Sequence, residues 1–368
     1  GPRRDRAARH GIRGRAPVSA PVQGSFSGMP EPLYAASPSR LLAWLDCPRR
    51  YRMAYLDRPR PTPAPQRAHT TIGIVVHTAL REWWDQPRRT PAAGADLITR
   101  HWSDTGFRDA AQSAHWRART GGEVAAYLVA APGIDPGRPP LGVERPAAFK
   151  TRELALAGRL DRLDDRAGEL VVVDYKTGRR PPTVQDAHTS LPLALYAAAV
   201  WKMFRRRCLR VELHHVPTAT VVAHEHSPES LTRKVREAES IAADLRRADA
   251  RYAAHGPGPE AAACFAPRVS PLCQWCDYRA HCREGQTAGP AKSPWAALEG
   301  LAEPEEIGGE QDERVTDVEH FGGDGASDDS GALDSRAVDS GAVESLALDR
   351  RAVEGLGEAD GPLAPGGP

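Results

Sequence analysis

Apolar residues recur at helical spacing through much of the first 130 residues of the chain. A helix is predicted to begin after Ser37, because a serine followed by a proline suits the N-cap and first turn. Its amphipathic pattern continues, past a second proline, to Leu56. A second helix is predicted to open at Thr70 or Thr71, and further helices are predicted within residues 92–131.

The pattern becomes that of strands from residue 141 onward. Short apolar runs predict strands at residues 143–144 and 154–161, and the valine-rich run at residues 170–173 predicts a buried strand. Beyond it, the pattern predicts a helix at about residues 185–206, strands at residues 211–216 and 220–224, and a charged helix at about residues 227–254. This order of helices, strands, helix and strands predicts a mixed α/β fold.

Charged side chains cluster on the hairpin that residues 158–178 are predicted to form. Asp174 and Lys176 follow the valine-rich strand two positions apart, so they point to the same face, and Asp161 is predicted to end the neighbouring strand. Carboxylates of adjacent strands can hold Mg²⁺ or Mn²⁺, and a lysine there can orient water or stabilise charge, as metal-assisted phosphodiester hydrolysis requires. The alternative is a hairpin with a surface salt bridge.

Three closely spaced cysteines, Cys273, Cys276 and Cys282, form a C-x₂-C-x₅-C pattern. Their spacing indicates ligands of a soft metal, either a tetrahedral zinc or a four-iron cluster, and both need a fourth ligand. The candidates for that ligand are Cys47, Cys264 and His281. Cys208 is most simply a free buried thiol.

Composition and charge divide the chain into a basic body and an acidic tail. The 368-residue chain has 49 basic and 48 acidic residues. From Trp295 onward there are 4 basic and 19 acidic residues, which leaves 45 basic and 29 acidic residues before that position. A body this basic suits a polyanionic partner such as DNA. A coding bias toward arginine is the alternative explanation.

Both ends of the chain are predicted to be disordered. Residues 1–35 form an Arg-, Pro- and Gly-rich arm, and residues 291–368 form the acidic tail, in which residues 332–356 repeat with a period of five. The tail is either a solvated chain or a competitor of DNA for the basic body. Because no apolar run reaches transmembrane length, a cytoplasmic protein without a membrane partner is expected.

Five motifs in this order resemble the RecB-type nuclease domain of the PD-(D/E)XK superfamily, in its iron–sulfur branch. They are the serine-led helix ending in Cys47-Pro48-Arg49-Arg50-Tyr51, the run Gly73 to His77, the run Gly158 to Asp161, the run Asp174 to Gly178, and the cysteine trio. The resemblance covers about residues 37–285. It implies a restriction-endonuclease-like domain at residues 36–290, with a mixed sheet core, flanking helices and a helical insertion at about residues 85–140.

The resemblance also implies roles for single residues. A lone helical histidine is usually structural, but the family pattern makes His77 a ligand of the divalent cation. The other implied ligands are Asp161, Asp174 and the carbonyl oxygen of Tyr175, and Lys176 is the implied catalytic lysine. The implied ligands of a 4Fe–4S cluster are Cys47, Cys273, Cys276 and Cys282, so that Cys47 would clasp distant parts of the chain.

A DNA contact is implied on the helix after the hairpin, with one departure from the family pattern. Tyr196 matches the tyrosine of the family's Gln-x-x-x-Tyr helix. Pro192 stands at the glutamine position, where it is expected to kink or restart the helix. Arg179 and Arg180, in the basic loop before this helix, are further candidates for DNA contact.

Taken together, these features predict a Mg²⁺- or Mn²⁺-dependent deoxyribonuclease. We expect an exonuclease or a structure-specific enzyme that prefers single strands or ends. We expect it to act in DNA repair or recombination. The sequence has no G-x-x-x-x-G-K-[ST] loop, so a helicase or recombination protein would be a separate partner. The alternatives are a catalytically inactive DNA-binding module and a zinc-containing adaptor, and the intact Asp161, Asp174 and Lys176 favour the nuclease.

Overall fold

The computed structural model describes residues 33–300. The predicted arm at residues 1–35 and the predicted tail at residues 291–368, with its five-residue repeats, lie outside the described residues except at their inner ends. At both inner ends the chain is part of the fold. Tyr34–Ala36 form a strand, and Leu298 is buried in an apolar cluster with helices that lie within residues 68–130.

Five helices precede most of the sheet: α1 Pro38–Asp46, α2 Pro48–Tyr55, α3 Ala68–Trp84, α4 Pro91–His101 and α5 Ala110–Ala130. Ser37 caps α1 as predicted, because its hydroxyl accepts a hydrogen bond from the Arg40 N–H at 3.2 Å. Helix α3 begins at Ala68, before the predicted Thr70 or Thr71. Its N-cap residue, Arg67, makes no side-chain cap, so the sequence lacked the usual start signal there.

Six strands form one mixed sheet within the described residues: β1 Tyr34–Ala36, β2 Gly142–Lys150, β3 Leu154–Arg166, β4 Glu169–Lys176, β5 Arg210–His215 and β6 Thr220–Glu225. The path through the sheet is β1-β3-β4-β5-β6, and β2 pairs with β3. The β1·β3 and β4·β5 pairs are parallel, and the other pairs are antiparallel. The predicted mixed α/β core is therefore confirmed.

Strand β3 is longer than predicted, and Asp161 lies inside it instead of at its end. The hairpin turn consists of Ala167 and Gly168, whose φ angles of 53° and 97° lie in the left-handed region. A glycine accepts this conformation without strain. Because Arg162 pairs with Val173 across the hairpin, Asp161 stands opposite Asp174.

Strand β4 is buried on both faces, as its valine-rich sequence predicted. Leu170 and Val172 belong to the larger apolar core, which also contains residues of the later helices. Val171, Val173 and Tyr175 belong to a second core with α3, α4 and α5. Because side chains alternate along a strand, Tyr175 faces the second core, and Asp174 and Lys176 face the opposite side of the sheet.

Two helices replace the single helix predicted at residues 185–206: α6 Val184–Thr189 and α7 Leu191–Phe204. Pro192 lies in the first turn of α7, and the Ser190 hydroxyl caps that helix by accepting the Leu193 N–H at 3.4 Å. The helix is thus restarted, which is one of the two outcomes expected of a proline at this position.

The remaining elements close the domain. The long helix α8 spans Pro228–His255, and the short helices α9 Pro259–Ala262 and α10 Arg283–Gln286 flank several single turns. None of the helices found between residues 33 and 300 is both long and apolar enough to cross a membrane.

Candidate active site and cysteine cavity

His77 on α3 and Asp161 in the middle of β3 meet over the hairpin. The Nδ1 atom of His77 lies 3.3 Å from Oδ1 of Asp161, and both side chains are partly exposed. The peptide N–H of Tyr175 donates to the other carboxylate oxygen of Asp161 at 2.8 Å. Asp161 therefore joins α3 to strand β4, and two of the predicted ligands are adjacent.

Asp174 and Lys176 lie on one face of β4, as predicted, and form an ion pair. The Nζ atom of Lys176 is 2.8 Å from Oδ2 of Asp174, with 30% and 22% of the two side chains exposed. Asp174 stands opposite Asp161 across the hairpin. The structure thus brings His77, Asp161, Asp174 and Lys176 to neighbouring positions on three elements.

A further carboxylate, Glu144 on β2, is also part of this site. Donor atoms of His77, Glu144 and Asp161 all lie within 4.8 Å of one another, and this is the only such group of three among the described residues. Asp174 is outside this tight group. The sequence predicted a strand at residues 143–144 but gave no sign that Glu144 belongs to the site. Glu144 reaches the site through the pairing of β2 with β3, which no local motif reveals.

The charges of this site shift the pKa values of its members. Burial opposes protonation of His77, but Asp161 and, to a smaller degree, Asp174 raise its pKa to about 9. Burial alone would raise the pKa of Asp161, but His77, the Tyr175 N–H and Lys176 together lower it. Burial and the charge of Asp161 raise the pKa of Glu144. The carboxylates of this site therefore favour a positively charged partner, either a protonated His77 or a bound cation.

The donor set fits a hard divalent cation. Carboxylate oxygens are the ligands that Mg²⁺ and Mn²⁺ prefer, and a single imidazole is compatible with Mn²⁺. The side chains are also placed for access, because Asp161 and Glu144 are 16% and 20% exposed. The residues present at this site therefore match the ion that the sequence analysis predicted.

A buried polar network supports the strand that carries Asp174 and Lys176. Tyr175 points to the opposite face, where its hydroxyl accepts a hydrogen bond from Arg162 at 3.3 Å. Arg162 is fully buried and pairs with Asp164 at 3.0 Å. Its Nη1 atom also lies 3.5 Å from the Tyr127 hydroxyl. These contacts fix β4 from behind the site.

The four predicted cluster cysteines line one cavity of about 70 Å³: Cys47, Cys273, Cys276 and Cys282. Cys47 lies between α1 and α2, and the other three lie in the turns before α10. Four peptide N–H groups donate to these sulfur atoms, from Arg268 to Cys47, from Ser270 to Cys273, from Tyr278 to Cys276 and from Gly285 to Cys282. Four arginines also line the cavity: Arg49, Arg50, Arg268 and Arg279.

The sulfur atoms are further apart than a single zinc ion requires. A tetrahedral site with zinc–sulfur bonds of about 2.3 Å places its sulfur atoms about 3.8 Å apart. Within residues 33–300, no three cysteine sulfurs lie within 4.8 Å of one another. Of the other candidates for the fourth ligand, Cys264 packs against the larger core, and the ring of His281 contacts the Thr62 carbonyl at 3.0 Å.

The candidate DNA contacts are dispersed around the hairpin. The Tyr196 ring packs against Gly158, where a Cβ atom would lie only 2.8 Å from the Tyr196 hydroxyl. A side chain at residue 158 would therefore have to displace Tyr196. Arg180 pairs with Asp186 at 3.4 Å, and Arg179 lies 3.5 Å from the Glu299 carbonyl. The two arginines are thus held near the end of β4 by neighbouring segments.

Comparison with known proteins agrees with this architecture. No curated protein matches the chain. A crystal structure of a "putative exonuclease" from Eubacterium rectale is similar over 68% of this chain and 88% of that one, with 10% sequence identity and a TM-score of 0.38. The family model described as PD-(D/E)XK nuclease superfamily matches residues 35–283, a span that holds both the hairpin site and the cysteine cavity. The chain therefore belongs to the PD-(D/E)XK nuclease superfamily.

Proposed function

We propose that this protein is a divalent-cation-dependent nuclease that hydrolyses phosphodiester bonds in DNA. The observation that carries the proposal is the convergence of His77, Asp161, Asp174 and Lys176 on the β3–β4 hairpin of a chain from this superfamily. A surface salt bridge alone would not need a histidine from a separate helix beside the same carboxylates.

In this proposal His77, Asp161, Asp174 and the carbonyl oxygen of Tyr175 hold Mg²⁺ or Mn²⁺. When bound, the cation supplies a water of lowered pKa and positive charge beside the scissile phosphate. Lys176 orients the attacking water and stabilises the negative charge that develops on the phosphate oxygens. Its ion pair with Asp174 holds the ammonium group at the same face as the carboxylates.

The basic body binds the DNA backbone, and the nearest candidates for this role are Tyr196, Arg179 and Arg180. We propose an exonuclease or structure-specific enzyme that prefers single strands or ends. We propose that it acts in repair or recombination, beside a separate helicase or recombination protein.

We further propose that Cys47, Cys273, Cys276 and Cys282 bind a 4Fe–4S cluster, as in the RecB-type iron–sulfur branch. Each ligand of such a cluster binds a different iron atom, so wide sulfur spacing suits it better than zinc. Peptide N–H groups and arginines around the sulfurs offset the negative charge of a thiolate-bound cluster.

The nuclease proposal is tested by incubating the full chain with labelled single- and double-stranded DNA in Mn²⁺ or in EDTA. Cleavage is expected in Mn²⁺ only, and Asp161→Asn is expected to abolish it. The matched control is Asp96→Asn, at an exposed position of α4, which should cleave like the wild type. Absence of Mn²⁺-dependent cleavage by the wild type, or equal cleavage by wild type and Asp161→Asn, would overturn the proposal.

A further inference from the structure

Glu144 occupies an unusual place in β2. Val143 pairs with Arg162 and Arg145 pairs with Leu160, so Glu144 stands between these pairs and opposite Asp161. Its φ angle is 46°, in the left-handed region, and the regular pairing of the strand is interrupted at this residue. For a residue with a long side chain this conformation costs free energy.

The side chain of Glu144 faces the donors on the two other elements. One of its carboxylate oxygens lies within 4.8 Å of donor atoms of both His77 and Asp161. Arg159 is nearby, with its Nε atom 3.8 Å from Oε2 of Glu144 and its Nη1 atom donating to the Glu144 carbonyl at 3.0 Å. A charge pair at 3.8 Å on a partly exposed surface neutralises the carboxylate only weakly.

The charge of the site also calls for this residue. With His77 neutral, as a metal ligand must be, Asp161 and Asp174 carry two negative charges and Lys176 returns one positive charge. The net charge of these three groups is minus one. Glu144 brings it to minus two, which strengthens the attraction of the site for a divalent cation.

We propose that Glu144 is a further ligand of the divalent cation, so that α3, β2 and β3 each contribute a side chain to one binding pocket. This inference rests on the proposed function in placing the cation at the hairpin, but it concerns binding of the ion and not cleavage. Glu144 thus supplies a third carboxylate to the cation, beside those of Asp161 and Asp174.

The test measures Mn²⁺ binding to the full chain without DNA. The electron paramagnetic resonance signal of free Mn²⁺ reports how much of the ion is unbound. Glu144→Gln is expected to weaken binding by at least about 10-fold, the scale of losses caused by disturbing a metal's ligand environment. Asp161→Asn should weaken it at least as much. The matched control is Glu153→Gln, whose side chain is 60% exposed and belongs to the segment between β2 and β3; it should bind like the wild type.

A second variant separates a ligand from a merely structural residue. Asn tolerates a positive φ angle better than Glu, so Glu144→Asn is expected to keep or raise the melting temperature of the metal-free protein while Mn²⁺ affinity falls. Unchanged Mn²⁺ affinity in both Glu144 variants, or no Mn²⁺ binding by the wild type, would overturn the inference. If the wild type binds Mn²⁺ in a Glu144-dependent way but never cleaves DNA, the proposed function fails and the ligand assignment stands.

Discussion

The hairpin site and the cysteine cavity are both sets of metal-ligating side chains, but they are built differently. The donors at the hairpin site project from a helix and three strands, and three of them already lie within 4.8 Å of one another. The cysteines project from turns, and their sulfurs are spread around a cavity and held by peptide N–H groups. Regular elements suit precise placement of reacting groups.

The two regions also differ in the span of chain that they connect. In the hairpin, Asp161 and the Tyr175 N–H are 14 positions apart. At the cavity, the Arg268 N–H reaches the Cys47 sulfur across 221 positions. A cross-link that persists in the unfolded chain removes more of its entropy when it spans more residues. We therefore expect the hairpin to determine the chemistry and a cluster bound at the cavity to add stability.

The largest expected effect on stability follows from Cys47→Ser. Closing a loop of this size is worth about 5 kcal/mol in the chain-entropy model, which corresponds to a fall in melting temperature of about 10 °C or more for a domain of this size. Anaerobically purified Cys47→Ser should also lose most of its iron. The measurements are iron content and thermal unfolding by circular dichroism.

The control for Cys47→Ser is Cys264→Ser, because Cys264 packs against the larger core and does not line the cavity. It should keep its iron. The folded fraction of Cys47→Ser should still bind Mn²⁺, since the hairpin donors are unaltered. Iron content and melting temperature equal to those of the wild type would contradict the assignment of Cys47 as a ligand.

Arg162→Met removes the buried cation behind the hairpin, and we expect it to lower the free energy of unfolding by less than Cys47→Ser does. Breaking a buried ion pair costs about 3 kcal/mol or more, and Arg166, which pairs with Asp164 at 2.8 Å, leaves that carboxylate a partner. The effect should thus be near the lower end of this range. Chemical denaturation is the measurement.

The control for Arg162→Met is Arg206→Met, since Arg206 pairs with Asp165 on the surface. It should have a denaturation midpoint close to that of the wild type. A loss of stability equal to that of Arg162→Met would show that burial of the pair is not what matters. Release of Tyr175 from Arg162 should also lower DNA cleavage, because the strand carrying Asp174 and Lys176 loses its support.

The smallest effect concerns the acidic tail, which belongs to neither region. Residues 301–368 should be removed, and residues up to 300 kept because Leu298 packs in the core beside α3. If the tail competes with DNA for the basic body, the truncated protein should bind DNA more tightly at low salt, and the difference should shrink as salt rises. Equal affinity at low salt would exclude this competition.

Much of the hairpin site was predictable because its signals are local. The valine-rich run predicts β4, and residues two positions apart on a strand share a face, which places Asp174 and Lys176 together. The predicted neighbouring strand brings Asp161 beside them, whereas only the resemblance to a family implied a role for His77. Glu144 was not predictable, because it joins the site through pairing with a strand segment about 17 positions away and through a φ angle that its own sequence does not suggest.

Strand β1, like Glu144, depends on pairing between segments that are distant in the sequence. Strand β1 has three residues, too few to show a period, and it exists because Tyr34 pairs with Leu154. The restart of the helix at α7 was predicted as one of two outcomes, because a proline acts on the backbone next to it and Pro192 is visible in the sequence. Features encoded by neighbouring residues were thus accessible, and features that depend on distant pairing were not.

Whether the hairpin is a nuclease centre is decided by the single-turnover rate of DNA cleavage at saturating Mn²⁺. Lys176→Ala is compared with Lys234→Ala, whose lysine pairs with Glu237 on helix α8. Loss of a group that stabilises transition-state charge costs about 100- to 1,000-fold in rate, so Lys176→Ala should be slowed by that amount and Lys234→Ala should match the wild type. Equal cleavage rates for Lys176→Ala and the wild type would contradict the account.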